Sequence, residues 1–126
     1  MRQDPVRRVI RQWEKAIQAG KMNGILANHT RDVLMFDVPE PLQSRGIAEY
    51  QKTWELFFSH GSPGADAFVI EDLRITAGSD VAFATGLLRI GGSKNPVCRL
   101  TLGLKKRRRQ WLIAHEHHSA PHQLDD

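Results

Sequence analysis

The stretch Trp111-Leu112-Ile113-Ala114-His115-Glu116-His117-His118-Ser119-Ala120-Pro121 passes from apolar to ionisable residues without losing its extended character. Side chains in a strand alternate between faces. Strict alternation therefore puts Trp111, Ile113, His115, His117 and Ser119 on one side, and Leu112, Ala114, Glu116 and His118 on the other. A strand that only filled a core would stay apolar to its end. Both faces of this one finish in titratable groups, which points to a site at its far end.

Working upstream, three more extended segments precede it: Phe68 to Ile75, Val81 to Ile90 and Pro96 to Leu104. They are separated by Gly78-Ser79-Asp80, by Gly91-Gly92-Ser93-Lys94-Asn95 and by the basic run Lys105-Lys106-Arg107-Arg108-Arg109. Connections this short make neighbouring strands antiparallel. Before Gly64 the period is helical. Asp4-Pro5 signals a helix start, Val6, Val9, Ile10, Trp13, Ala16 and Ile17 recur at helical spacing, and Gly20 ends the pattern. A short second helix carries Ile25, Leu26 and Ala27, His29 to Asp32 reads as a turn, and an apolar strand from Val33 to Phe36 delivers Asp37. Val38-Pro39-Glu40-Pro41-Leu42 is a loop, since its two prolines lack backbone donors. After Gly46, Ile47, Tyr50, Trp54, Phe57 and Phe58 share one face of another helix. Helices followed by a meander of strands define an α+β fold, with helices laid on one face of a curved sheet.

The chain has 126 residues, 40% of them apolar and 25% charged. This is enough for one domain with a hydrophobic core, and the whole of 1–126 is read as that domain. No apolar run approaches the ~20 residues needed to span a bilayer. The N-terminus has no apolar signal core, and the single cysteine, Cys98, cannot form an internal disulfide, so a cytoplasmic location is expected. The net charge is +4, with five of the 18 basic residues in the run 105–109. That run lies where a hairpin turn must be solvated and has no interleaved aromatics to stack bases, so nucleic-acid binding is disfavoured.

Several features in order carry a family resemblance. They are Ala19-Gly20-Lys21, Asp32-Val33-Leu34 leading to Phe36-Asp37, the loop Pro39-Glu40-Pro41-Leu42 ending at Gly46, Tyr50 with Trp54-x-x-Phe57-Phe58, Arg99-x-Thr101, and the closing Trp111-x-Ile113-x-His115-Glu116-His117. Together they resemble the SnoaL-like, ketosteroid isomerase-like branch of the nuclear transport factor 2-like superfamily, over almost the whole chain. The resemblance implies a cone-shaped α+β barrel: a bent antiparallel sheet around a long N-terminal helix, a deep pocket, and a homodimer formed through the sheet. The fold serves isomerases, cyclases, dehydratases and non-catalytic assembly domains, so function has to come from the pocket residues.

Asp37 matches the position of the catalytic base in the isomerase branch, and it has a second reading as a loop aspartate capping the Pro39 turn. The oxyanion hole of that branch is missing, because Trp13 stands where a tyrosine is expected and Thr101 where an acid is expected. An indole N–H and a hydroxyl could each donate one hydrogen bond in their place. Arg99 shares a strand face with Thr101, either as a cation for a ligand carboxylate or enolate, or in an ion pair with Glu116, Asp37 or Glu71.

The resemblance turns Ala114, Glu116 and His118 into the cavity, and His115, His117 and Ser119 away from it. A slip of one residue reverses every assignment, so His117 stays a candidate contact. His115-x-His117 lacks a third ligand, and no metal site and no cofactor are expected. Cys98 is read as a structural thiol.

The resulting expectation is a pocket for a compact organic ligand bearing a carbonyl or carboxylate. Asp37 and His118 would act as base and acid of a cofactor-free isomerase, cyclase, dehydratase or hydrolase, with Trp13, Trp54, Arg99, Thr101, Glu116 and His117 around the ligand. The alternative is a ligand-binding or oligomeric assembly domain without turnover.

Overall fold

The computed structural model describes residues 1–125. Its elements are α1 (Gln3–Ala19), α2 (Met22–Leu26), β1 (His29–Phe36), β2 (Ser44–Arg45), α3 (Ile47–Ser59), β3 (Phe68–Ala77), β4 (Val81–Ile90), β5 (Cys98–Arg107) and β6 (Gln110–Ser119). The six strands form one sheet in the order β2-β1-β6-β5-β4-β3. β3 to β6 are an antiparallel meander, as their short connections require. β1 joins the meander beside β6 and runs parallel to it; so much chain separates the two that no tight turn dictates their direction.

On α1, Val6, Ile10, Trp13 and Ile17 are buried at intervals of four, three and four residues, one stripe of a helix. The helix stops where Gly20 takes a left-handed φ of 68°. Asp4 does not cap it. The helix begins at Gln3, so Asp4 lies in the first turn, where a carboxylate suits the helix dipole. Tyr50 and Trp54 are buried on α3, and the apolar layer closes against Leu88, Leu100, Leu102, Leu104 and Ile113 of the sheet. Glu14 ties α1 to β3: its Oε2 accepts the Ile70 backbone N–H at 2.7 Å and its Oε1 accepts from Arg11 at 2.9 Å.

Three readings of the sequence change. His29 to Asp32 belong to β1 and do not form a turn. His29 lies opposite Ile113, and the Ile113 N–H bonds the Asn28 carbonyl at 2.8 Å, so the pairing with β6 begins earlier. The basic run is mostly strand. Only Arg108 and Arg109 turn, with φ of 50° and 68°, the pattern of a two-residue hairpin loop.

The third change concerns the faces of β6. Gly103 pairs with His115 and Leu104 with Ile113, leaving Ala114 as an extra residue. This β-bulge shifts the phase of alternation. Trp111 and Ile113 before it, and Glu116 and His118 after it, are all buried on the inner face. His117 is exposed on the outer face.

On β5, Leu100, Leu102 and Leu104 take the inside, which leaves Arg99 and Thr101 exposed outside. No helix among the described residues is long and apolar enough to cross a membrane.

Candidate functional site

Asp37 is the first residue after β1, and His118 stands near the end of the neighbouring β6. Register pairs Phe36 with His117, so the next inward side chain of β6 is delivered beside Asp37. His118 Nδ1 is 3.5 Å from Asp37 Oδ1, and both residues line a cavity of about 820 Å³. Its wall is largely apolar, with Met35, Val38, Trp54, Leu56, Phe57 and Phe68 contributing, and no lysine or arginine is among the described residues that line it. The loop between α3 and β3, through Gly61 to Gly64, forms part of the rim. The His118 ring lies 6.3 Å from Trp54 and 6.2 Å from Phe68, centroid to centroid, so aromatic walls hold its plane.

Behind His118, on the side away from Asp37, sits Glu116, fully buried. Its Oε2 is 2.6 Å from His118 Nε2. The two approach at an angle outside that of an aligned hydrogen bond, and neither atom has another partner, so charge holds this contact. Glu116 Oε1 accepts from the Tyr50 hydroxyl at 2.6 Å. Tyr50 in turn receives the Trp13 indole N–H at 3.1 Å and lies 3.0 Å from His29 Nε2.

Burial raises Asp37 above the usual carboxylate range, and the His118 charge and the Val38 N–H offset part of that. Burial alone would push His118 down; the Glu116 carboxylate, with Asp37 behind it, outweighs burial and holds the imidazole above its ordinary value. Burial, reinforced by the Glu116 charge, pushes the Tyr50 phenol well up. His29 is lowered by burial, with the Ala27 carbonyl and Glu116 opposing. Cys98 also lines the cavity, and burial together with the Asp37 charge raises its thiol, which suits an inert side chain.

The structure brings Asp37, His118 and Trp54 to the cavity and puts Glu116 directly behind it. Asp37 also accepts the Val38 N–H at 2.8 Å, so it caps its own loop while facing the cavity.

Four expected ligand contacts lie elsewhere. Trp13 is buried in the core, its N–H spent on Tyr50. Arg99 and Thr101 are on the outer sheet face, where Arg99 reaches Ser119 Oγ at 3.3 Å, because the leucines of β5 occupy the inside. Glu71, offered as an Arg99 partner, pairs with Arg89 instead. His117 faces outward against the edge of Phe36.

Tyr50 and His29 join the site as polar partners that the sequence does not single out. A tyrosine in an otherwise indole and phenyl stripe carries a hydroxyl that needs a partner when buried, which is the one signal it offers. His29 offered no such signal inside a polar tetrapeptide.

With this geometry in place, the family follows. The sequence profile of the SnoaL-like domain matches residues 6–123, and the chain belongs to that family. Among solved structures it is similar to an NTF2-like protein of unknown function from Pseudomonas putida KT2440, with 30% identity, a TM-score of 0.84, and 95% of this chain and 87% of that one covered. It shares its fold with a candidate ketosteroid isomerase from Parabacteroides distasonis ATCC 8503, with 19% identity, a TM-score of 0.72 and coverage of 93% and 88%. It also shares its fold with a candidate dehydratase of the NTF2-like family from Streptomyces avermitilis, with 15% identity, a TM-score of 0.76 and coverage of 95% and 96%. Comparison with curated proteins finds no match.

Proposed function

We propose that the protein binds a compact, neutral, largely apolar organic molecule bearing a carbonyl and carries out cofactor-free proton transfer on it, as an isomerase or dehydratase does. The observation that carries this reading is the Asp37–His118 pair, 3.5 Å apart on the wall of an apolar cavity of about 820 Å³. Asp37 is the more exposed of the two and acts as base, removing a proton next to the carbonyl; burial gives its carboxylate a basicity suited to that work. His118, kept protonated by Glu116, donates to the carbonyl oxygen or to a departing hydroxyl. Its Nδ1 contact with Asp37 is long enough for a ligand oxygen to compete for the proton. With Arg99 outside and no lysine or arginine among the described residues of the wall, and with the His118 charge already faced by Asp37 and Glu116, a ligand carbonyl fits the cavity better than a carboxylate.

A second reading, an assembly domain without turnover that pairs as a homodimer, is favoured by Val81, Phe83 and Leu87. These apolar side chains stand exposed on the outer face of β4.

Deuterium exchange separates the two readings. In deuterated buffer the protein should catalyse exchange next to the carbonyl of small cyclic ketones and enones, followed by NMR. Asp37→Asn and His118→Gln should each slow it by ~10²–10⁴-fold, the usual worth of a positioned acid or base. Exchange no faster than buffer for every ketone, or equal exchange in folded variants, would remove the catalytic reading.

A further inference from the structure

The polar chain behind the cavity has more partners than its hydrogens can serve. Tyr50 has one hydrogen to give and two lone pairs with which to receive. The Trp13 N–H can only donate, and takes one of those lone pairs. His29 Nδ1 lies 2.8 Å from the Ala27 carbonyl oxygen, which can only accept, so Nδ1 carries a hydrogen. Two contacts remain at the Tyr50 oxygen: His29 Nε2 at 3.0 Å and Glu116 Oε1 at 2.6 Å. With a neutral His29 and a bare carboxylate at Glu116, both would be acceptors, and the hydroxyl could serve only one. The other would face an oxygen lone pair at contact distance, against a tyrosine that is fully buried.

One additional proton removes the conflict, in either of two positions. On His29, the imidazolium Nε2–H donates to Tyr50, whose O–H goes to the Glu116 carboxylate. On Glu116, the Oε1–H donates to Tyr50, whose O–H turns to the neutral His29 Nε2. We propose that His29, Tyr50 and Glu116 hold one proton in common and relay it between the partly exposed turn before β1 and His118. Passing from the second arrangement to the first breaks the Glu116 O–H and the old Tyr50 O–H bonds. It forms a new Tyr50 O–H and a His29 N–H, so one proton crosses and a neutral pair becomes an ion pair.

The consequence lies at His118. When the proton is on His29, the Glu116 carboxylate faces His118 Nε2 at 2.6 Å and holds that imidazole charged. When it is on Glu116, His118 loses the partner charge and releases its own proton more readily. His29 and Tyr50 are thus positioning residues that act through Glu116. The other groups meeting them are uncharged: Trp13 from α1, Trp54 from α3 and the Ala27 carbonyl at the end of α2; beyond His118, the Asp37 carboxylate is the further charge that Glu116 feels. The use of the relay in catalysis rests on the acid role proposed for His118, whereas the proton count does not.

The test is NMR of the ¹⁵N-histidine-labelled full chain, without ligand. His29 should keep a hydrogen on Nδ1 across the titration, either as the Nδ1–H tautomer or as imidazolium. In His29→Lys the ammonium has hydrogens and no lone pair, so it can only donate to Tyr50 and fixes Glu116 as the acceptor. The His118 midpoint should then rise by about one pH unit, the scale of a directly coupled partner. A neutral His29 bearing its hydrogen on Nε2, or an unmoved His118 midpoint in folded His29→Lys, would overturn the relay. Should that variant not fold, the wild-type tautomer decides alone. Loss of the exchange activity with these NMR results intact would instead strike only the proposed function.

Discussion

Two glutamates are buried in this molecule, and their surroundings differ. Glu14 on α1 is held by groups that never change state: the Ile70 backbone N–H, and an arginine that remains charged at any ordinary pH. Glu116 on β6 is held by a tyrosine and a histidine, both of which exchange protons, and a second histidine stands beyond the tyrosine. The first arrangement fixes a helix to a strand. The second fixes nothing that a well-packed leucine could not, and it lies against the cavity. A buried charge with permanent partners belongs to the scaffold, whereas a buried charge whose partners titrate marks where protons are handled.

Truncation sharpens the contrast, and the larger effect is expected at β6. Glu116→Ala leaves the Tyr50 hydroxyl and the His118 Nε2 without a counterpart in a closed site. Removing one member of a buried ionic contact of this kind costs ~3–5 kcal/mol of stability. Denaturant unfolding should show that loss, together with His118 titrating lower than in the wild type. The conservative Glu116→Gln should recover most of the stability and leave His118 low, separating packing from charge.

Glu14→Ala comes next. It orphans the Ile70 N–H, while Arg11, already partly exposed, turns to water. The expected cost is about 1.5–3 kcal/mol, that of a hydrogen bond to a charged group. The His118 titration and any ligand exchange should be unmoved. A shifted His118 in Glu14→Ala would erase the distinction between the two carboxylates.

The same contrast explains what could be read in advance. Glu14 sits on the stripe of a helix whose period is unambiguous, and the antiparallel meander followed from glycine-marked turns and alternation. The inward side of β6 did not follow. Trp111 and Ile113 point inward two residues apart, Glu116 follows after three, and His118 after two. The step of three is the bulge at Ala114, and alanine is small enough to stand on either face, so composition gave no sign of it.

Arg99 and Thr101 were drawn to the cavity by family position, against the leucines alternating with them. Weighing three leucines on one face of β5 would have turned both outward. Asp37 and His118 come from the family resemblance, which matches Asp37 to the position of a base and turns His118 toward the cavity. Tyr50 and His29 needed the third dimension, since 66 residues separate Tyr50 from the glutamate it bonds.

The smallest expected effect, and the one that tests both halves of the contrast at once, is the pH dependence of unfolding. His118 binds its proton more tightly folded than unfolded. Its contribution to stability is therefore complete below the ordinary value of 6.5 and is lost as pH rises from there through the folded value. Asp37 is raised as well, so stability falls as pH climbs from 3.8 toward its folded value. His29 is lowered, but in the shared arrangement the proton it yields stays on Glu116, so the folded trio still holds one proton above 6.5, where the unfolded chain holds none. That proton and the one on His118 are both given up as pH rises, and the wild type should lose stability beyond 6.5 on two accounts. His118→Gln should shorten the falling limb beyond 6.5, and adding His29→Lys, whose ammonium is charged folded and unfolded alike, should remove it. Glu14→Ala should lower the whole curve without bending it. A bend introduced by Glu14→Ala, or a falling limb beyond 6.5 that survives in the double variant, would show that the protons are held somewhere other than around Glu116.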